Sequence, residues 1–315
     1  MHRIGYVLPP GFQVMALATQ AVFEFANLVA GDRFYAVENY AVTGGEVRSS
    51  AGTQLLARAF TARSQADTWM VVGTIDPLTA APEPGLLRLL QRGAARARRT
   101  AGLCTGAFLL ADAGLLEGRR ATTHWAFAEA MQQRHPGIQV EADRIYITDG
   151  PIWTSAGMTA EIDLALGLVE KDLGADLARS VAHRLVMPQR RSGGQSQHSV
   201  MLRLAPKSDR IQQALDYARR HLAQPLSVEE LAEVAHLSPR QFSRVFTAET
   251  GQSPAKAIEG LRLEAARLMI EQSRHPLEVV AREAGFRDRR HLREVFLRGF
   301  GIPPQVVRRD ARAAG

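Results

Sequence analysis

Cys104 is the residue whose type and position most directly suggest chemistry. It follows the segment 99–103, which is predicted to be a short strand, and precedes residues 107–113, which are predicted to be helical. A side chain on such a strand-to-helix turn is held at the carboxyl edge of an α/β sheet, where these sheets bind ligands. The helix amino terminus beside it would favour an anion or a thiolate. The turn therefore makes Cys104 a candidate for a ligand-binding or reactive thiol.

His124 is the side chain that could act on this thiol. It follows twenty residues later in ATTHW, and an imidazole near a thiol can make the sulfur a nucleophile. From the pair alone the alternative stays open that a small buried cysteine packs beside an unrelated histidine. The chain has no Cys/His spacing typical of zinc and no P-loop or GxGxxG fingerprint. We therefore expect neither a metal nor a cofactor.

The elements around Cys104 follow an alternating pattern. Segments 3–8, 34–42 and 68–73 predict strands, and the last, TWMVVG, is typical of a buried parallel strand. Helices are predicted through Val22 and Phe25 and over 84–97. Alternating strands and helices imply a parallel sheet covered on both faces. Residues 1–188 are therefore predicted to form an α/β domain.

Composition and charge exclude several classes of protein. A single cysteine excludes an intrachain disulfide, and neither an apolar run of about 18 residues nor a signal-peptide core is present, so we expect a cytoplasmic chain without membrane contact. Residues 1–188 have a formal charge of −1, whereas 189–207 and 208–315 have +4 each. The positive excess thus lies in the carboxyl-terminal part, which favours a partner that carries phosphates, such as DNA.

Residues 226–304 contain one helical pattern twice. Ala232, Ala235 and Leu237 recur 49 residues later, and Phe242, Phe246, Gly251 and Pro254 have counterparts 50 residues later, at Leu292, Phe296, Gly301 and Pro304. Each copy predicts a short helix, a turn and a second helix, which is a helix-turn-helix. The motifs are predicted over about 228–250 and 277–300, within a domain of residues 208–315 that follows a linker, 189–207.

The sequence predicts where the second helix of each copy begins and which of its faces is exposed. Ser238 with Pro239, and Asp288 in the other copy, are predicted helix amino-terminal caps. The exposed amino-terminal half of such a helix enters the DNA major groove. The side chains predicted to contact DNA are Arg240, Gln241, Ser243 and Arg244 in the first copy and Arg289, Arg290, His291, Arg293 and Glu294 in the second.

The two motifs resemble the DNA-binding domain of the AraC/XylS transcription regulators. The second copy matches that family's pattern GF–x5–L/F–x3–F–x4–G–x2–P from Gly285 to Pro304. The resemblance implies a long helix, 254–271, that joins the motifs. Glu294 departs from the family, which usually has a basic residue there. The second helix is thus expected either to contact bases differently from the usual family members or to contact mainly phosphates.

The amino-terminal domain resembles the ThiJ/PfpI-like domains that are fused to AraC-type domains in the GlxA-like regulators. Residues 104–125 and 153–174 carry this resemblance. It implies the flavodoxin-like sandwich of the class I glutamine amidotransferases, with a pocket around Cys104, His124, Thr154 and Ser155. Enzymes of the superfamily commonly place an acid after the first strand, where this chain has MALAT, residues 15–19, and where Glu24 is the only nearby carboxylate. We therefore expect no catalysis.

The sequence thus predicts a regulator of transcription that binds double-stranded DNA as a homodimer. By resemblance, its first domain senses a small polar, often nitrogen-containing, metabolite, activation is favoured over repression, and RNA polymerase is a further candidate partner. Three alternatives stay open: a cysteine amidase or hydratase, a redox sensor that uses Cys104, and a purely structural first domain.

Overall fold

The computed structural model describes residues 1–79, 82–187, 193, 197, 200, 204 and 206–313. The chain divides into two compact units, Met1–Gln197 and His198–Gly315. Most of the predicted linker, 189–207, lies outside the described residues. Among the described residues, no helix is long and apolar enough to cross a membrane.

The first unit is built on one large sheet and one small one. The strands are β1 His2–Val7, β2 Tyr35–Ala41, β3 Gly45–Arg48, β4 Gln54–Ala59, β5 Thr68–Val72, β6 Arg99–Leu103, β7 Arg120–Ala121, β8 Gln139–Val140, β9 Tyr146–Asp149 and β10 Ile152–Ser155. The large sheet has eight strands in the order β3-β4-β2-β1-β5-β6-β10-β9, and β7 pairs with β8. Its central strands β2, β1, β5, β6 and β10 are parallel.

Helices cover both faces of this sheet. They are α1 Ala18–Ala30, α2 Pro84–Ala94, α3 Gly106–Asp112, α4 Trp125–Arg134, α5 Thr159–Leu173 and α6 Ala175–Arg184, with a 3-10 turn at Val14–Leu17. One core cluster gathers Phe23 of α1, Leu164 of α5 and Val181 of α6 on the first face. A second cluster gathers Leu86, Phe108 and Met131 of α2, α3 and α4 on the other. The predicted flavodoxin-like sandwich is confirmed.

Both edges of the sheet differ from the all-parallel prediction. β3 pairs antiparallel with β4, and β9 pairs antiparallel with β10. At the first edge the side chains of β4 are exposed or half-buried, so its sequence lacks the apolar run that marks a buried strand. Helix α2 also ends at Ala94, three residues before the predicted end.

The described residues of the second unit form helices and no strands. The helices include α7 Asp209–Arg220, α8 Val228–Val234, α9 Pro239–Thr250, α10 Pro254–Gln272, α11 Leu277–Glu283, α12 Arg289–Phe300 and α13 Pro304–Ala313. One buried cluster lies around α8 and α9, and a second lies around α11 and α12. Helix α10 contributes Leu261 to the first and Ile270 to the second. The predicted pair of helix-turn-helix motifs, joined by a long helix, is confirmed.

Candidate functional site

The helix α9 has the caps that the sequence predicts. Ser238 Oγ accepts a hydrogen bond from the backbone N–H of Gln241 at 3.4 Å, and the Gln241 side chain accepts from Ser238 N at 3.2 Å. This reciprocal capping box satisfies two backbone donors of the first turn. The helix ends at Gly251, whose φ of +74° suits a residue without a side chain. Phe242 and Phe246 are buried and hold α9 against the rest of its motif.

The helix α12 repeats this construction with other residues. Asp288 Oδ1 accepts from His291 N at 2.7 Å, and Gly301 ends the helix with φ +70°. Leu292 and Phe296 are fully buried. The cap at Asp288 is therefore confirmed, and in both motifs the buried face leaves the amino-terminal half of the second helix open on the other side.

Most of the side chains predicted to contact DNA lie on these open faces. The exposed ones are Arg240, Gln241, Arg244, Arg289, Arg290, Arg293 and Glu294. Ser243 and His291 are half-buried. The His291 ring packs edge-on against Phe286, with 5.5 Å between the ring centroids. Both of these side chains therefore face their own motif in part, and of the two His291 is the more constrained.

Cys104 occupies the predicted turn between β6 and α3. Its φ is +53°, a left-handed conformation that is rare for a residue with a side chain. Glycines allow this turn to pack against β5, because a Cβ at Gly106 would lie 2.1 Å from Val71 O. The strand-to-helix elbow is therefore real. The thiol, however, is only 2% exposed, so Cys104 does not project into solvent.

The predicted pocket residues are only partly brought together. Ser155 Oγ accepts from Cys104 N at 3.4 Å, so Ser155 lies directly at the elbow. Thr154 Oγ1 instead accepts from Thr122 N at 2.9 Å. A Cβ at Gly157 would lie 2.8 Å from His124 Cδ2 and 3.7 Å from Cys104 Sγ. His124 and Cys104 therefore face a common neighbour that has no side chain.

The hydrogen bonding of His124 decides what its ring can do. His124 Nδ1 accepts a hydrogen bond from Ala126 N at 3.3 Å and so caps α4. An imidazole nitrogen that accepts a hydrogen bond carries no proton, which places the proton of the neutral ring on Nε2. Nε2 is the nitrogen on the side of Gly157 and Cys104. In this tautomer His124 can donate towards the sulfur but cannot take its proton.

Glu161 is a site residue that the sequence analysis missed. It lies in the first turn of α5, is 1% exposed, and its Oε2 has no hydrogen-bond partner among the described residues. Burial raises the pKa of this carboxyl to about 8. Glu24, the carboxylate considered from sequence, is exposed. The signal for Glu161 was an acid between Ala160 and Ile162, although Asp163 of the same helix gives a similar signal.

The thiol of Cys104 is held in its neutral form. Burial, and second the negative charge of Glu161, raise its pKa to about 12, against a smaller lowering by the N–H of Thr105. Desolvation therefore outweighs the helix amino terminus, which by itself would favour a thiolate. No group of three potential metal ligands occurs in the part of the chain that the structure describes.

Comparisons with known families match both units. A helix-turn-helix domain family matches residues 231–310, and the DJ-1/PfpI family matches residues 18–171. The HTH-type transcriptional regulator CdhR of Pseudomonas aeruginosa is 31% identical over 306 residues, which is 96% of this chain and 90% of that protein. Isonitrile hydratase of Pseudomonas putida is 40% identical over 99 residues, 31% of this chain and 42% of that enzyme.

Solved structures agree with these matches. An AraC family transcriptional regulator from Pseudomonas putida has a TM-score of 0.54 at 26% identity, and covers 59% of this chain and 100% of its own. The full-length relatives are regulators, although the DJ-1/PfpI family also includes enzymes. The chain belongs to the AraC-type helix-turn-helix transcriptional regulators that carry a DJ-1/PfpI domain.

Proposed function

We propose that this regulator binds its operator as a homodimer, with α9 and α12 of each protomer in successive major grooves. The observation that carries the proposal is the pair of capped helices whose buried faces leave five arginines exposed, at 240, 244, 289, 290 and 293. Arginine donates two parallel hydrogen bonds to guanine and also binds phosphate. Because operator DNA lies in the cytoplasm, the proposal implies a cytoplasmic protein. Activation through contact with RNA polymerase rests on the family resemblance.

The first unit is proposed to sense a small polar metabolite without catalysis. The neutral thiol, with its pKa near 12, supports this role over nucleophilic catalysis or redox sensing, because both of those need a thiolate near neutral pH. The tautomer of His124 supports it too, because His124 then cannot act as a base for Cys104. Ser155 and His124 supply polar atoms beside Cys104, and a nitrogen-containing ligand would find acceptors at Ser155 Oγ and Glu161.

Selection of DNA by the full-length chain tests the first half of the proposal. Sequences enriched from a random duplex library should share one motif, and Arg244→Ala should weaken binding to it. If Arg244 contacts a base, the loss is about 1–3 kcal/mol and one position of the motif relaxes. An equal loss on every sequence, with a salt slope reduced by about one, would assign Arg244 to a phosphate. A wild-type chain that enriches no motif would overturn the proposal.

A thermal-shift screen of the full-length chain tests the second half. Ligands that bind only the native state stabilise it by RT ln(1 + [L]/Kd), about 2.7 kcal/mol at 100 times Kd. Amino acids, betaines and polyamines are the first compounds to try. A shift that disappears in Ser155→Ala but persists in the surface variant Ser180→Ala would support the Cys104 site. A shift unaffected by Ser155→Ala, or no shift with any compound, would leave the first unit as a dimerisation module.

A further inference from the structure

The two DNA-facing helices differ at one pair of equivalent positions. With the offset of 50 residues that relates the motifs, Arg240 and Arg244 of α9 correspond to Arg290 and Glu294 of α12. In each helix the two positions are four residues apart, so their side chains are neighbours on one face. The first motif thus presents two positive charges where the second presents a positive and a negative one.

The arginines of the two helices also differ in their ion pairs and hydrogen bonds. Arg240 and Arg244 have no hydrogen bond or ion pair to any described residue. In α12, Arg290 Nε donates to Glu294 Oε1 at 3.1 Å, while both side chains remain exposed. Arg289 of α12 is also paired, to Glu278 of α11 at 3.1 Å. The arginines of α9 are therefore free to bind phosphates, whereas those two of α12 are already partly neutralised.

Helix stability does not account for the ion pair on α12. The Arg290 side chain is 86% exposed and the Glu294 side chain 57%, and pairs this exposed contribute little to stability. On a surface that faces DNA, a carboxylate repels phosphate, which lowers affinity for every sequence alike. Glu294 therefore lowers the affinity for non-specific DNA. It can raise the affinity only at a site where a base donates a hydrogen bond to its carboxylate.

The donors and acceptors that each base presents in the major groove show which bases can bind this carboxylate. In the major groove cytosine presents the N4 amino group and adenine the N6 amino group, whereas guanine O6 and thymine O4 are acceptors. A carboxylate accepts from the first two and is repelled by the last two. Arg290, held through its Nε, keeps its terminal N–H groups free to bind beside it.

We infer that Glu294 makes α12 the discriminating helix of the pair, selecting an amino-bearing base, cytosine or adenine, in its half of the operator, with Arg290 positioned beside it. Helix α9 supplies most of the non-specific affinity through Arg240 and Arg244. The inference rests on the proposed function, since it assumes that both helices face DNA.

The test compares two variants that make the same change of charge. Glu294→Ala removes the carboxylate and puts no donor or acceptor in its place, so this position should accept amino and keto bases alike. Glu283→Ala is the control, because Glu283 is an exposed acid on α11, paired with Arg282 and outside the DNA-facing helices. Each full-length protein is used to select from a random duplex library and to bind an unrelated duplex.

With the wild type, one position of the selected motif should require cytosine or adenine. Glu294→Ala should lose about 5- to 150-fold of that preference, the range of a good base contact, and should bind the unrelated duplex more tightly than Glu283→Ala does. Retention of the preference by Glu294→Ala would overturn this inference alone, as would a gain in affinity for the unrelated duplex no larger than that of the control. A wild-type chain that selects no motif would overturn the proposed function and this inference with it.

Discussion

His236 and Gly285 occupy the same position in the turns of the two motifs, 49 residues apart, and both have left-handed backbones, with φ of +54° and +78°. The turn requires this conformation in each motif. Gly285 meets it without a side chain, and a Cβ there would lie 1.8 Å from Leu222 O. His236 is exposed and meets the same requirement with a side chain present. The first turn is therefore the more strained of the two.

His236→Gly should accordingly stabilise the second unit. A left-handed conformation costs a residue with a side chain about 1–2 kcal/mol, and the added chain entropy of glycine offsets up to about 1 kcal/mol of the gain. We expect a net increase of about 0.5–1 kcal/mol in the free energy of unfolding, measured by hydrogen exchange of amides in α8 and α9. Gly285→Ala is the matched variant and should destabilise α11 and α12. A loss of stability in His236→Gly would contradict the claim that the backbone at His236 is strained.

Asp172→Asn should strongly destabilise the first unit. The Asp172 side chain is fully buried at the end of α5, where it pairs with Arg99 and accepts from Tyr35 Oη at 2.9 Å. Removing the charge leaves Arg99 uncompensated in a buried site, at a cost of about 3–5 kcal/mol. Thermal denaturation of the full-length chain provides the measurement. The control is Asp176→Asn, which breaks the exposed pair with Arg179 and should change stability by less than about 0.5 kcal/mol. Similar effects of the two variants would refute the claim that the buried pair of Asp172 and Arg99 stabilises the first unit.

Glu161 should make stability fall as the pH rises. Its pKa is about 8 in the folded state and 4.5 as an ordinary side chain, so between these values the folded state holds a proton that the unfolded state has lost. Its stabilising contribution is fully present below pH 4.5 and is lost by about pH 8, with a slope of up to about 1.4 kcal/mol per pH unit.

Glu161→Gln, which cannot ionise, should flatten this profile between pH 4.5 and 8 and stabilise the protein at pH 8. Urea denaturation across that range measures the effect. Glu24→Gln, a change of an exposed acid on α1, is the control and should leave the slope unchanged. Equal slopes in wild type and Glu161→Gln would show that Glu161 titrates normally.

Cys104 should react slowly with thiol reagents at neutral pH. Since it is the single cysteine of the chain, labelling of the full-length protein reports on it directly. Its pKa of about 12 predicts rates that still rise above pH 9. Glu161→Gln should speed labelling at pH 9, because it removes the negative charge that opposes the thiolate. His124→Ala should leave the pH profile in place, and a midpoint near 7 that depends on His124 would support the catalytic alternative instead.

Features that depend on neighbouring residues were predictable from sequence. Ser238, Pro239 and Gly251 place the start and the end of α9 because caps act within one helical turn. The elbow at Cys104 was predictable for a similar reason, since only two residues separate a short strand from a helix that begins at a glycine. The open faces of α9 and α12 follow from the 3.6-residue spacing of their buried side chains.

Features that depend on distant residues were not predictable in this way. Glu161 reaches Cys104 from a helix 57 positions later in the chain, and no local pattern points it there. The burial of the thiol depends on how α3 packs against β5, which decides that desolvation outweighs the helix amino terminus. His291 lies at an outward position of α12, yet its ring packs on Phe286 of the preceding turn.

The most direct test of the central claim is a footprint of the full-length chain on a selected duplex, with missing-contact analysis of individual bases. We expect each protomer to protect two stretches of major groove about 10 base pairs apart, the spacing of one helical turn. Arg244→Ala should weaken one stretch and Arg293→Ala the other. One protected stretch per protomer, or two that respond identically to both variants, would contradict the claim that α9 and α12 each read DNA.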